Sequence, residues 1–270
     1  MAKTAVFFCA LSLWLGAFQA AGASDQEQGK KTIPAHSPLS WTAASERTRL
    51  TEKEAAANAA KLLGVAPEAI PRAHLVYFRD SENPALKSEK QLAWLAEAPA
   101  VEIKRPEYLG GGSVRSLLVV CLDAQDGTLV CVFTPAKERW LMPATGAPKE
   151  SEAILESMRR ERWTIDRLNG APESTGKAVL ERLWQSFAIG PGDAGQIIAR
   201  PVQVQTQYPE IPIHRVDVRG DGVSVHPVRR AWIMATMGGP REELGHTYIT
   251  GQRWLLMDGT GKWGAGLYTP

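Results

Sequence analysis

Hydrophobic positions along Cys121–Pro135 (CLDAQDGTLVCVFTP) fall into two short apolar runs on either side of the polar, glycine-containing stretch Gln125-Asp126-Gly127. Apolar run, turn and apolar run is the pattern of a β-hairpin. A close relative of this stretch recurs at Leu256–Pro270, which reads LMDGTGKWGAGLYTP around Gly259-Thr260-Gly261. Asp123 falls on Asp258, Phe133 on Tyr268, and Thr134-Pro135 on Thr269-Pro270, all at one constant spacing. One supersecondary unit is therefore expected twice.

The stretches ahead of each hairpin extend the parallel. Thr51-Glu52-Lys53-Glu54 has the form of a capping box, in which the threonine hydroxyl takes an amide proton near Glu54 and the glutamate reaches back. Ala55–Leu63 continues as an alanine-rich helix, and Gly64 stops it. Strands are predicted at His74–Arg79 and Gln91–Ala96, with a polar loop at Asp80–Lys90, a short extended piece at Val101–Ile103 and a loop at Gly110-Gly111-Gly112. In the second half, Glu150–Leu168 reads as a helix with Ile154, Leu155, Met158, Ile165 and Leu168 loosely on one side, ended by Gly170-Ala171-Pro172. A further helix is expected at Thr175–Phe187, then strands near Ile197–Gln207, a hairpin at Ile213–His226, a strand at Arg230–Thr236 and the final pair. Ala93-Trp94-Leu95 finds its counterpart in Ala231-Trp232-Ile233, so helix, strand, Ala-Trp strand and hairpin keep their order.

This pattern predicts an α+β fold of two tandem modules, each a helix packed on an antiparallel sheet. The packed helix faces are expected to be Ala56, Ala59, Ala60 and Leu63 in the first copy and Leu180, Leu183, Trp184 and Phe187 in the second. The expected divisions are 1–23 as a signal peptide, 24–48 as a flexible polar segment, 49–140 as the first module, 141–172 as a connecting helix and 173–270 as a divergent second module.

Composition narrows the class. With 270 residues, 44% of them hydrophobic and 22% charged, the chain can bury two cores of ordinary size. Its 31 basic and 29 acidic residues leave a net charge of +2, so no broad basic face is available for a phosphate backbone, and nucleic acid is not an expected partner. Lys3, the apolar run Ala5–Phe18 and the small residues Ala21-Gly22-Ala23 make an export signal, with Ser24 as the expected first residue after cleavage. The run is about 14 residues, short of the roughly 20 that span a bilayer, and no later stretch approaches that length. A periplasmic or secreted product without a transmembrane segment after signal removal is expected. Ser24–Arg49 is polar and without sustained period, which reads as flexible.

Cys9 would leave with the signal, and Cys121 and Cys131 then remain, one on each strand of the first hairpin. In an oxidising compartment they could bridge if they occupy a non-hydrogen-bonded pair, whereas a one-residue change of register would put them on opposite faces. Service as two small buried apolar residues is an equal alternative.

Thr51-Glu52-Lys53-Glu54-Ala55-Ala56, then Ala93-Trp94-Leu95, then Leu122-Asp123-Ala124-Gln125-Asp126-Gly127-Thr128-Leu129 together resemble the PepSY domain and the related propeptide region of thermolysin-like proteases. The resemblance covers roughly Thr51–Pro135 and is weaker in the second half, where the helix lacks the acidic third position and Trp263-Gly264 replaces an apolar strand start. It implies a helix packed on an antiparallel sheet and a role in binding or inhibiting proteases of the cell envelope. It carries over no catalytic residues.

The rest of the chain offers little chemistry. His36, His74, His214, His226 and His246 form no metal-ligand spacing, and neither a nucleophile elbow nor a phosphate loop is present. Gly110-Gly111-Gly112-Ser113 is followed by a strand rather than the helix a phosphate cradle needs. Arg219-Gly220-Asp221-Gly222 reads as a hairpin turn, and Arg159-Arg160-Glu161-Arg162 as a solvated mixed-charge face. Of the nine tryptophans, Trp94, Trp232 and Trp254 lie on predicted strands and are expected in the core. Trp41, Trp140 and Trp263 lie in polar or turn-like surroundings and are candidate partner anchors. The sequence thus points to an exported, non-catalytic protein that recognises a protein or peptide, a peptidase among the candidates, with no cofactor and no metal. A structural spacer of the envelope, or an enzyme whose scattered acids and histidines form no motif, are the alternatives.

Overall fold

The local signals at the first helix mark both of its ends. In the computed structural model, α1 spans Glu52–Leu63. Glu54 donates its N–H to the Thr51 hydroxyl at 3.3 Å, and the Thr51 N–H donates to the Glu54 carboxylate at 2.9 Å, closing both halves of the capping box. Gly64 ends the helix at φ 82°, donating its N–H to the Ala60 carbonyl, in a conformation that favours glycine. The second helix, α2, spans Gly176–Phe187 and is capped by the Thr175 hydroxyl, which accepts from the Ala178 N–H.

The described residues are 37–83, 85–86, 90–136, 163–206, 214–219, 222–227, 229–237, 239–243, 246–250, 253–259 and 264–267. The expected signal peptide, Trp140, Trp263, the start of the helix expected at Glu150 and the Gly220-Asp221 turn lie outside them.

The strands are β1 (Leu39–Ala43), β2 (Arg72–Asp80), β3 (Gln91–Lys104), β4 (Ser113–Asp123), β5 (Leu129–Phe133), β6 (Trp163–Arg167) and β7 (Gln196–Thr206), followed by β8 (His214–Arg219), β9 (Gly222–Pro227), β10 (Arg230–Met237), β11 (Gly239–Glu243), β12 (His246–Thr250), β13 (Arg253–Asp258) and β14 (Gly264–Leu267). An antiparallel sheet runs in the order β1-β2-β3-β4-β5-β7-β10-β13-β14. The β8–β9 and β11–β12 hairpins stand apart from it as two-stranded ribbons. β5 pairs with Ile198 and Ala199 of β7, while β6 pairs with Val202–Thr206. Because β10 already pairs with β7 through residues 196–203, β5 and β6 share the opposite edge.

Three expectations need correcting. The polar leading segment, read as flexible, contributes β1, which pairs with β2 from Leu39↔Asp80 to Ala43↔Val76. The helix expected to run through Leu168 does not, because Trp163–Arg167 is strand β6. The separate strand and extended piece at Gln91–Ala96 and Val101–Ile103 are one strand, β3, whose register shifts between Ala98 and Val101. The fold is α+β, with helices on one face of an antiparallel sheet.

Two separate cores were also expected, and a shared one is found. α1 buries Ala55, Ala59, Ala60 and Leu63, and α2 buries Val179, Leu180, Leu183 and Trp184, all in one cluster with Trp94, Leu122 and Trp232 of the sheet. Ala56 and Phe187, expected on these faces, are only partly buried at the margin. The helices meet end to end. A Cβ on Gly64 would stand 2.6 Å from the Thr175 hydroxyl oxygen, so the end of α1 abuts the cap of α2.

The opposite face of the sheet is buried too, with Phe78, Leu95, Cys121, Cys131, Phe133 and Ile198 in one cluster. Its curvature follows from contacts that skip strands. Strands lie about 4.8 Å apart, so β2 and β7, separated by three strands, would stand about 19 Å apart in a flat sheet. Yet Arg200 of β7 bonds Asp80 of β2 through Nε at 2.7 Å and Nη2 at 2.8 Å. Trp41 of β1 likewise reaches Phe133 of β5, ring centroids 5.8 Å apart, and Ser37 donates to Gln196 at 2.9 Å. The sheet therefore coils until its β1–β2 end returns over β5 and β7, as accumulated strand twist allows.

Candidate recognition edge

Leu39-Ser40-Trp41-Thr42-Ala43 becomes a strand partly because Trp and Thr suit a pleated surface, and mainly because β2 offers a partner. The Pro38 carbonyl accepts from the Ser81 N–H at 3.0 Å, and the Ala44 N–H donates to the Leu75 carbonyl at 3.1 Å. Backbone groups in an antiparallel pair alternate in direction every residue, so Ser40 and Thr42 also turn theirs toward β2. Leu39, Trp41 and Ala43 direct theirs to the outer edge. Among the described residues no strand pairs with that edge, and Ser40–Ala43 are exposed.

Trp41 lies on the same side of β1 as buried Leu39, facing the second core, and is 49% exposed. One part of its indole rests on Phe133, which is itself buried and stacked on Phe78 at 6.5 Å between ring centroids. An aromatic ring held this way loses little freedom on contact with a partner, and its exposed part adds apolar area to cover. Tyr108 is more exposed, at 63%, but its hydroxyl donates to the Trp184 and Gln185 carbonyls at 3.1 and 2.9 Å, tying the loop after β3 to the end of α2. It serves as a brace.

Of the three proposed anchors, the described residues hold only Trp41, and no grouping with Trp140 or Trp263 is described. Trp94 and Trp232 are buried in the first-face core as expected, and Trp254 lies on β13. Cys121 and Cys131 stand directly opposite one another on β4 and β5, both buried thiols. Sequence reasoning proposed Trp41 as an anchor but missed that it sits on an edge strand. The available signal was the run Leu39-Ser40-Trp41-Thr42 directly after Pro38, a residue confined to strand starts and edges.

The recurrent aspartate of the hairpins is a fold residue. Asp123 accepts from the Gln125 N–H at 2.8 Å and from Arg167 Nη1 at 3.0 Å, fastening β6 to the β4–β5 turn. Asp126 accepts from the Thr128 N–H at 2.8 Å and from Arg167 Nη2 at 3.2 Å. Partial burial works against its charge, but the bonds from Thr128 and the Arg167 guanidinium hold its carboxyl below the ordinary range. Its counterpart Asp258 is buried at the end of β13.

A groove of about 590 Å³ opens between α1 and the turn Pro67–Ala69, lined by Ala56, Ala57, Ile70 and Pro71 with Glu52, Lys53 and Glu68 around them. Its one hydroxyl, that of Thr51, is engaged as the helix cap. Its charged side chains, Glu52, Lys53 and Glu68, are all exposed. Among the described residues no three His, Cys, Asp or Glu side chains are placed to hold a metal. No helix among them is long and apolar enough to cross a membrane.

Comparison with family models, curated proteins and solved structures finds no match to this chain. Function must therefore be argued from the edge and its surroundings.

Proposed function

We propose that this chain is an exported, non-catalytic protein that binds an extended peptide segment along β1. The observation that carries the reading is the outward set of backbone groups on Leu39, Trp41 and Ala43 beside a half-exposed, firmly seated indole. An extended chain laid on that edge would gain ladder hydrogen bonds from the backbone and a stacking contact from Trp41. Binding of this kind needs no converging titratable groups. The resemblance to PepSY domains adds a peptidase to the candidate partners, with the periplasm or the exterior as the place of action.

Two tandem modules are part of the same proposal. A strand, a helix and a four-strand succession recur as β1-α1-β2-β3-β4-β5 and β6-α2-β7-β10-β13-β14, with hairpins inserted in the second. The last strand of the first set pairs with the first sheet strand after α2, which supports two units fused into one sheet.

The test uses peptides selected from a displayed library against the purified protein, with affinity read by fluorescence anisotropy. Trp41→Ala is expected to weaken binding about tenfold, in line with loss of one aromatic contact. Ala43→Pro removes an outward N–H while leaving the inward bonds of Ser40, Thr42 and Ala44, and is expected to weaken it similarly. Selected peptides that bind both variants as tightly as wild type would place the site elsewhere. Turnover of a substrate, lost on mutation of one histidine or acid, would replace this reading with an enzyme.

A further inference from the structure

Cys121 and Cys131 are paired in register across β4 and β5, and the register shifts immediately afterwards, between Cys121 and Leu122. Their orientation can be read from neighbouring bonds. Asp123 gives its N–H to the Thr128 carbonyl across the hairpin, and Thr134 gives its own to Ile197 on the far side of β5. By two-residue alternation, Cys121 and Cys131 aim their backbone groups at each other, which makes them a hydrogen-bonded pair rather than the non-hydrogen-bonded pair the sequence reading required. Cα atoms in such a pair lie about 5.5 Å apart, inside the range that disulfides span. Cβ atoms in facing positions lie about 4.5–5.5 Å apart against the roughly 3.8 Å of a disulfide, so some closure is needed. The adjoining register shift interrupts the ladder on one side of the pair, where a bend in β5 can supply it.

Both thiols face the second core, fully buried in one cluster with Phe133, and Cys121 feels the charge of Asp80. We propose that Cys121 and Cys131 form an intramolecular disulfide whose state is decided while the chain folds and is preserved afterwards. The step is thiol–disulfide exchange with a small-molecule disulfide. One cysteine thiolate attacks a sulfur of that disulfide and expels one reduced thiol, leaving a mixed disulfide. The second cysteine, deprotonated, then attacks the protein sulfur of the mixed disulfide and expels the second thiol. The two cysteines lose two electrons and two protons, and the oxidant takes up both. Exchange needs a thiolate and room for an in-line third sulfur. The folded core offers neither: burial, then the hydrogen bond to Cys131, push the Cys121 thiol well above its ordinary range. The unfolded hairpin offers both. The same burial shields a bond once made from reductant.

The experiment refolds a Cys9→Ala variant, in which Cys121 and Cys131 are the two cysteines left, from denaturant in oxidised glutathione or in excess reductant, then counts thiols by alkylation and mass spectrometry. Oxidative refolding is expected to yield a species lighter by two hydrogens with no alkylatable thiol, which native reductant leaves intact for hours. Reductively folded protein placed in the same oxidant should keep both thiols, reacting at least a hundredfold more slowly than unfolded chain. A Cys131→Ser variant, refolded oxidatively, should show no internal bond, and in its folded fraction the buried Cys121 should stay an unmodified thiol. Two free thiols after oxidative refolding would overturn the disulfide. Native oxidation or reduction at the unfolded-chain rate would overturn the preservation.

Discussion

Arg200 and Asp80 meet in a two-pronged ion pair with neither side chain reaching solvent, joining strands that lie four places apart in the sheet. Burial opposes the guanidinium charge, but Asp80, by its charge and then its hydrogen bonds, holds the Arg200 pKa above its ordinary value. Such a pair costs desolvation that its own attraction must offset, so its value lies in fixing an arrangement more than in adding stability. Here the arrangement is the return of the β1–β2 end over β7.

Breaking the pair on one side should therefore be far worse than replacing both sides. Asp80→Asn is expected to cost about 3–5 kcal/mol in urea unfolding, because Arg200 loses its carboxylate in a dry site. The double variant Asp80→Leu with Arg200→Met is expected to recover most of that loss. A single variant costing under about 1 kcal/mol would mean the pair does not hold the coil.

Gly64 carries two separable demands. Its φ of 82° disfavours any side chain, and a Cβ there would collide with Thr175. Gly111 has φ 64° with nothing within 4 Å of a Cβ, so it carries the backbone demand alone. Gly111→Ala is expected to cost about 1–2 kcal/mol and Gly64→Ala clearly more, with the difference shrinking in a Thr175→Gly background, which removes every Thr175 atom that a Cβ would meet. Equal losses would show that the two helix ends do not press on each other.

The capping box predicts a pH signature. The Thr51 N–H, then its hydroxyl, hold the Glu54 carboxyl below its ordinary range. A carboxyl whose folded pKa is depressed contributes stability above its unfolded value and loses it as pH falls through the folded one. The melting-temperature gap between wild type and Glu54→Gln is therefore expected to be constant above about pH 5 and to close below about pH 4. A gap that persists at low pH would mean the glutamate acts through something other than its charge.

Trp184 is buried against Gly190, where a Cβ would stand 2.2 Å from the indole. Trp184→Ala is expected to cost about 3–5 kcal/mol by equilibrium unfolding. Wild-type stability in that variant would remove α2 from the core.

What the sequence by itself determined is local. The α1 capping box, the Gly64 stop, α2 and the two recurrent hairpins each depend on partners within a few residues, so their signals survive without the rest of the chain. The core tryptophans Trp94 and Trp232 were legible for the same reason, sitting in apolar runs that only a buried strand explains. β6 was within reach as well, since Trp163-Thr164-Ile165-Asp166 alternates with a period of two, but counting Ile165 and Leu168 into a helical face hid it.

Only the tertiary structure decided which distant strands meet. β1 has mostly exposed residues and becomes a strand because β2 supplies its hydrogen bonds, a cause absent from the five residues themselves. The join of β5 to β7, which turns two expected cores into one, rests on Val132↔Ala199 and Phe133↔Ile198 across a long stretch of chain. The placing of Cys121 on Cys131 depends on a register that one residue of slip would undo. The coil that brings Asp80 to Arg200 and Trp41 to Phe133 is an accumulated twist over several strands, and no single stretch of sequence encodes it.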